Sequence, residues 1–242
     1  MITHVIALSG GHDSTALAVR LAEVEPRDYT YVCTPTGDEL PEMFAHWRAL
    51  GERLGKRIVP VMAHTGLNGV IREQKMLPNF RARFCTRLLK IKPYRKWLAE
   101  HTPAVSYVGL RADEEGRAGG AYGDIEGIEM RFPLREWGWG ETEVQAYLAE
   151  QGIVVPERTD CARCYHQRIG EWWRLWKEHA DIFADAEAQE AEYHGTFRTP
   201  GRDTWPTPLK DMRAVFEGGR IPKSELQPDM FRGVGQCRVC TL

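Results

Sequence analysis

Two adjacent glycines at the end of a short apolar run constrain this chain more than any other feature. His4-Val5-Ile6-Ala7-Leu8 reads as a strand, and Ser9-Gly10-Gly11-His12-Asp13-Ser14 follows it directly. A strand that breaks into glycines and enters a helix at Asp13 or Ser14 is suited to holding phosphate. Glycine lets the backbone approach an anion and adopt dihedrals that a Cβ forbids. The amides of the helix N-terminus then face the charge. Ser9 and Ser14 add hydroxyl donors, and Asp13 either caps the helix or positions a Mg²⁺ ion that accompanies the phosphates. The plainer alternative is a tight turn with an ordinary cap. No Gly-Lys-Ser/Thr follows, so this is not a Walker-type loop.

The chain of 242 residues suits one large α/β domain, or a domain with a substantial appendage. A net charge of −2 gives no global pull towards nucleic acid or membrane, so any polyanion must be met by a local patch. No apolar run approaches a membrane span, and the expected location is cytoplasmic. Six cysteines, four of them in two C-x-x-C pairs, suit metal or redox chemistry better than a secreted disulfide scaffold.

Hydrophobic spacing predicts strands at Val5–Ser9, Tyr29–Cys33, Arg57–Met62, Val105–Leu110 and Ile128–Pro133. Helices are predicted over Asp13–Val24, over Glu42–Gly55 with Phe44, Trp47, Leu50 and Leu54 facing inward, and over Glu141–Gly152. This alternation implies an α/β fold: a Rossmann-like parallel sheet with right-handed crossovers and helices on both faces. Ligands of such sheets sit at the carboxyl ends of the strands, where Ser9–Ser14, Thr34–Glu42 and Arg111–Arg117 fall. Beyond Pro156 the strand signal ends and Trp and Cys become dense. A boundary near 155 then separates a nucleotide-binding domain, 1–155, from a smaller helical, metal-binding region, 156–242.

Four constellations carry chemistry. Thr36-Gly37-Asp38-Glu39 after the second strand is either a turn with acidic capping residues or a ligand loop. Arg81 to Lys96 holds Arg81, Arg83, Arg87, Lys90, Lys92, Arg95 and Lys96 with no acid, which reads as a solvated basic face or a site for phosphate, sulfate or a nucleic-acid backbone. Arg111 and Arg117, beyond Gly109, suit paired hydrogen bonds to an anion or surface pairing with Asp113 and Glu114. Cys161-x-x-Cys164 and Cys237-x-x-Cys240 each offer two thiols across a tight turn, as a tetrahedral ion or an iron–sulfur cluster requires. The 72 residues between the pairs mean that they meet only through folding. If Cys85 is not a metal ligand, its basic surroundings would favour the thiolate and let it carry sulfur. Cys33 reads as a small core residue. Trp172, Trp173 and Trp176 form an aromatic wall, and His166 stands beside the cysteines.

Ser9–Ser14 matches the SGGxDS signature of the PP-loop family, the adenine-nucleotide α-hydrolase-like ATP pyrophosphatases. Thr36–Glu42 is similar to the DTG-x-x-F-P-E-T segment of phosphoadenosine phosphosulfate reductases, with Pro35 for Asp, Leu40 for the aromatic and Met43 for the last Thr. Phe84–Pro93 is similar to their CCxxRKxEP segment: Cys85 takes the first cysteine, Thr86 replaces the second, and Lys90 and Pro93 keep their places. Gly109–Arg117 resembles their G-x-R-x-x-E-S-x-x-R segment. The resemblance therefore implies a phosphoadenosine phosphosulfate reductase-like member of the PP-loop superfamily. Its nucleotide would be met by Ser9, Gly10, Gly11, Asp13, Ser14, Thr36, Gly37, Gly109 and Arg111, and its chemistry carried by Asp13, Ser14, Arg111, Arg117 and Cys85.

In that family a [4Fe–4S] cluster is held by cysteines. Here Cys85, Cys161, Cys164, Cys237 and Cys240 are five candidates for four positions, and structural Zn²⁺ is the alternative. The reductases attack adenylyl sulfate with the cysteine of a C-terminal Glu-Cys-Gly-Leu-His motif, whereas this tail reads Gln236-Cys237-Arg238-Val239-Cys240. That difference favours an ATP pyrophosphatase that activates a substrate for sulfur transfer. The acceptor would be tRNA or DNA, and the sulfur donor a protein like a cysteine desulfurase. A divergent sulfonucleotide reductase and a non-catalytic nucleotide-binding subunit are the alternatives.

Overall fold

The computed structural model describes residues 2–114, 116–117 and 124–227. Strands β1 (Thr3–Ala7), β2 (Tyr29–Cys33), β3 (Val59–Pro60), β4 (Ala104–Tyr107) and β5 (Ile128–Arg131) form one sheet in the order β3-β2-β1-β4-β5. All four pairings are parallel. Helices α1 (His12–Val24), α2 (Pro41–Arg53), α3 (Leu67–Gln74), α4 (Lys92–Glu100), α5 (Pro133–Glu136) and α6 (Glu141–Glu150) connect and cover it. Helices α7 (Ile169–Glu178), α8 (Ala180–Tyr193), α9 (Leu209–Glu217) and the short α10 (Lys223–Leu226) follow. The predicted α/β class and parallel sheet are therefore the observed ones.

Successive strand residues face opposite sides, and β1 shows why both faces are covered. Ile6 and Leu8 enter a core with Leu17 and Leu21 of α1 and Leu148 of α6, while Val5 and Ala7 enter one with Tyr94 and Leu98 of α4. On the second face the Tyr94 hydroxyl meets Ser106 Oγ of β4 at 2.8 Å, with both residues buried. Tyr94→Phe leaves Ser106 without that partner and is expected to cost about 1–2 kcal/mol in urea melts. A third core joins Leu40, Ile71, Phe84 and Leu89 to Trp172, Leu175, Phe183 and Phe216, so its side chains come from both sides of residue 155. Trp172 is fully buried there, with Trp173 and Trp176 packed partly against the same cluster.

The differences from the predicted elements have local causes. The third strand contracts to two residues, because Pro60 has no N–H for a ladder and β3 lies at the sheet edge. Helix α2 presents Met43, His46 and Leu50 to the interior, and Phe44 is 50% exposed on its flank. Gly11, rather than Asp13, occupies the N-cap of α1. Thr86–Ile91 winds as a π-helix. Pro93 has no N–H for the carbonyl of Leu89 and its ring crowds that position. The ladder therefore steps to the wider repeat, with the Lys92 amide donating to the Arg87 carbonyl.

Candidate active site

The phosphate-type loop leaves the carboxyl end of β1, where the Leu8 amide still donates to the Val32 carbonyl at 2.8 Å. Gly10 then takes φ +90°, a region that L side chains avoid. The serine hydroxyls fix the turn from within. Ser14 Oγ donates to the Gly11 carbonyl at 3.2 Å and lies 3.1 Å from the Gly10 amide, which donates to it. With that proton used, Ser9 Oγ donates to Ser14 Oγ across 3.0 Å, and the Gly11 amide donates to Ser9 Oγ at 3.3 Å. Gly11 makes no side-chain cap, so the first-turn amides of α1 face the mouth of the loop.

Helix α2 buttresses this turn from the side. Trp47 Nε1 donates to the Ser9 carbonyl at 3.2 Å, and a Cβ on Gly10 would stand 2.6 Å from that nitrogen and 2.7 Å from Met43 Cε. His46 Nε2 lies 3.3 Å from Thr15 Oγ1, and burial holds the imidazole below its ordinary pKa.

The segment after β4 closes the other side. Gly109 packs so tightly under α1 that a Cβ there would lie 3.1 Å from the backbone of Asp13 and Ser14. Arg111, 5% exposed, places Nη1 3.3 Å from both Asp13 carboxylate oxygens and Nε 2.8 Å from Asp113 Oδ1. Burial raises the pKa of Asp13, and the neighbouring guanidinium offsets part of that rise. Arg117 pairs with Glu114, and Arg135 Nη2 donates to the Glu114 carbonyl at 2.8 Å and the Arg117 carbonyl at 2.6 Å.

Thr36, Gly37 and Asp38 form the expected turn around Glu39. Its Oε1 accepts from the Thr36 amide and hydroxyl at 2.7 Å each, and its Oε2 accepts from the Gly37 amide at 3.0 Å. Asp38 points the other way. It binds the Arg163 amide at 3.0 Å and Arg163 Nε at 2.7 Å, with both side chains almost wholly buried. Thr36 Oγ1 lies 3.2 Å from Cys161 Sγ. The loop after β2 is thus stitched to the first C-x-x-C turn.

Cys85, Cys161 and Cys164 line one small cavity together with Thr86, Lys90, Arg163 and Tyr165. Burial raises the Cys85 pKa, outweighing the Thr86 amide and Lys90, and pushes Cys161 up to about 12. Of the basic run Lys90 lines the cavity, while Arg81, Arg83, Arg87, Lys92 and Lys96 are exposed. Cys33 is a buried core thiol raised to about 12 by desolvation. Cys237 and Cys240 lie outside the described residues.

Residues 3–170 match the phosphoadenosine phosphosulfate reductase domain. The chain belongs to this family, within the PP-loop superfamily. A phosphoadenylyl-sulfate reductase from Candida auris, solved as a phosphate complex, shares the fold at TM-score 0.50 and 15% identity, over 65% of this chain and 76% of that one. A predicted subunit of tRNA methyltransferase from Methanocaldococcus jannaschii aligns at TM-score 0.40 and 19% identity, over 62% of this chain and 75% of that one. No curated protein matches. No helix among the described residues is long and apolar enough to cross a membrane.

For this phosphoadenosine phosphosulfate reductase-family chain, the implied cluster can be weighed against the donors present. Three thiols around one cavity beside two buried cations are a donor set of the right kind, since thiolate-bound iron or zinc is anionic overall. Among the described residues no three His, Cys, Asp or Glu side chains already stand at metal-holding distances. Sequence reasoning missed His46 and Arg163, and it named Trp47 and Asp38 without their partners Ser9 and Arg163. Of the two missed residues Arg163 carried a signal, being enclosed by the C-x-x-C pair in Cys161-Ala162-Arg163-Cys164.

Proposed function

We propose that this family member binds ATP and cleaves it to AMP and pyrophosphate, activating an acceptor for sulfur transfer. The observation that carries the reading is the pairing of an uncapped α1 N-terminus at Gly10-Gly11 with the half-buried Asp13–Arg111 pair. The acceptor attacks the α-phosphorus, the bond to the bridging oxygen breaks, and pyrophosphate leaves with the electron pair. A sulfur nucleophile then displaces AMP. The first-turn amides of α1 hold the departing phosphates, and Arg111 and Arg117 stabilise the charge that develops. Asp13 would hold Mg²⁺, which when bound supplies further neutralisation and favours the ionised carboxylate.

Residues 1–155 would supply this nucleotide domain, with 156–242 as its metal-binding region. Cys85, Cys161 and Cys164, with Cys237 or Cys240, would hold an iron–sulfur cluster or Zn²⁺. Alternatively, if Cys85 is spare, it carries the sulfur. A metal would ionise the thiols that burial keeps protonated.

The test is a single anaerobic preparation assayed for pyrophosphate release from ATP, with metal content and an absorbance spectrum measured on the same sample. Asp13→Asn should lower pyrophosphate release by about 100-fold, in line with losing one electrostatic element at a charged transition state. The family match also supports a second reading, a sulfonucleotide reductase. Sulfite release from adenylyl sulfate with a thiol reductant, and no pyrophosphate from ATP, would establish it instead.

A further inference from the structure

The wide turn of the π-helix sorts the basic run into two sets. The Arg87 amide donates to the Arg83 carbonyl, four residues back, and the Lys92 amide donates to the Arg87 carbonyl, five residues back. Each hydrogen bond closes one turn, so Arg83, Arg87 and Lys92 stack in a row along one face, and Lys96 continues it one turn further along α4. In an unbroken α-helix Ile91 would follow Arg87 in this row. The same turn carries Lys90 inward to the cysteine cavity. Among the described residues no carboxylate pairs with Arg81, Arg87 or Lys92, and all three are exposed.

An aromatic edge stands at the head of this row. Asn79 Oδ1 accepts from the Arg81 amide at 2.9 Å and the Ala82 amide at 3.0 Å, and this turn presents Phe80, which is 70% exposed. Phe80 meets the ring of His166 at 6.4 Å, and His166 lies against Tyr165 at 4.2 Å between centroids. Tyr165 lines the cysteine cavity, and Arg83 stands near its hydroxyl. The Arg83 end of the cationic row and the exposed ring therefore both lie beside Tyr165 at the cavity.

We propose that this face binds an unpaired strand of nucleic acid, its phosphates along Arg87, Lys92 and Lys96 and a base against Phe80. The inference rests on the sulfur-transfer reading above and gives its acceptor a place beside the thiols. Evenly repeated cations suit a regularly charged polyanion, and an exposed ring beside them suits a base whose face is free. A duplex hides those faces. An acidic protein would gain from the cations but not from the ring.

Fluorescence anisotropy of the full chain tests this with fluorescein-labelled twelve-nucleotide oligouridylate and oligothymidylate, a twenty-base-pair duplex, and polyglutamate. With three phosphates neutralised, affinity for the unpaired strands should fall about 20-fold between 50 and 200 mM salt. The double variant Arg87→Gln/Lys92→Gln should weaken binding and flatten that dependence. Phe80→Ala should weaken it about 5- to 150-fold and leave the salt dependence intact. Calorimetry with ATP should give unchanged affinity in both variants, which separates this surface from the nucleotide loop. Failure of ATP to bind while the oligonucleotides behave as described would remove the ATP reading and leave this one. Equal binding of the duplex, equal binding of polyglutamate, or indifference to Phe80→Ala would overturn it.

Discussion

Gly10→Ala is expected to lower affinity for an adenine nucleotide by at least about 100-fold and to destabilise the chain by about 2–5 kcal/mol, combining backbone strain with overpacking. The backbone at this position has φ +90°, where a Cβ collides with the following peptide. The new methyl would also stand 2.6 Å from the Trp47 indole nitrogen, which is itself held by the Ser9 carbonyl. Met43 can swing its terminal methyl away, but the indole can move only by abandoning its hydrogen bond. Either the loop rotates or α2 retreats, and both carry the amides away from a bound phosphate. Gly11→Ala is the comparison, because Gly11 has an ordinary φ of −74°. Calorimetric titration with ATP, alongside urea melts, reads both effects. Retention of affinity within threefold in Gly10→Ala would remove the loop from the binding site.

Arg163→Met is expected to cost about 3–5 kcal/mol, the range for removing one member of a buried ion pair. The loss comes chiefly from stranding Asp38, whose carboxylate binds Arg163 through both its amide and its guanidinium. Burial already raises the Asp38 pKa, with Arg163 offsetting part of the rise. Without the guanidinium, the folded-state pKa climbs further above the unfolded value. A carboxyl shifted upwards in this way favours folding while protonated, and that advantage fades as pH rises through the unfolded and then the folded value. The deficit relative to the parent should therefore be smaller at pH 5 than at pH 8 in urea melts. Asp38→Leu/Arg163→Met removes both charges and should regain much of the loss. A deficit under 1 kcal/mol at pH 8 contradicts this account.

The sheet and its phosphate loop were legible because both obey short-range rules. The alternation of Val5, Ile6, Ala7 and Leu8 between two faces is a period-two signal, and Gly10-Gly11 marks the place where it must end. The family was legible from short motifs in the same way. What escaped was whatever depends on which way a side chain turns. Seven cations in 81–96 look equivalent in a sequence, yet Pro93 widens one turn and sends Lys90 alone into the cavity. Phe44 and Met43 are neighbours in a helix, and one residue of phase decides that Met43 supports Gly10 while Phe44 faces solvent. Asp38 read as one of two acidic turn residues, and only its partner 125 positions away explains its burial.

A dozen consecutive residues, from Thr36 to Trp47, touch both compartments of the site. Thr36 abuts Cys161 Sγ, Asp38 grips Arg163, and Met43 and Trp47 brace Gly10. The cysteine turn and the glycine turn therefore share one strut. Any coupling between an occupant of the thiols and an occupant of the glycine turn would be reciprocal, the same in size whichever arrives first.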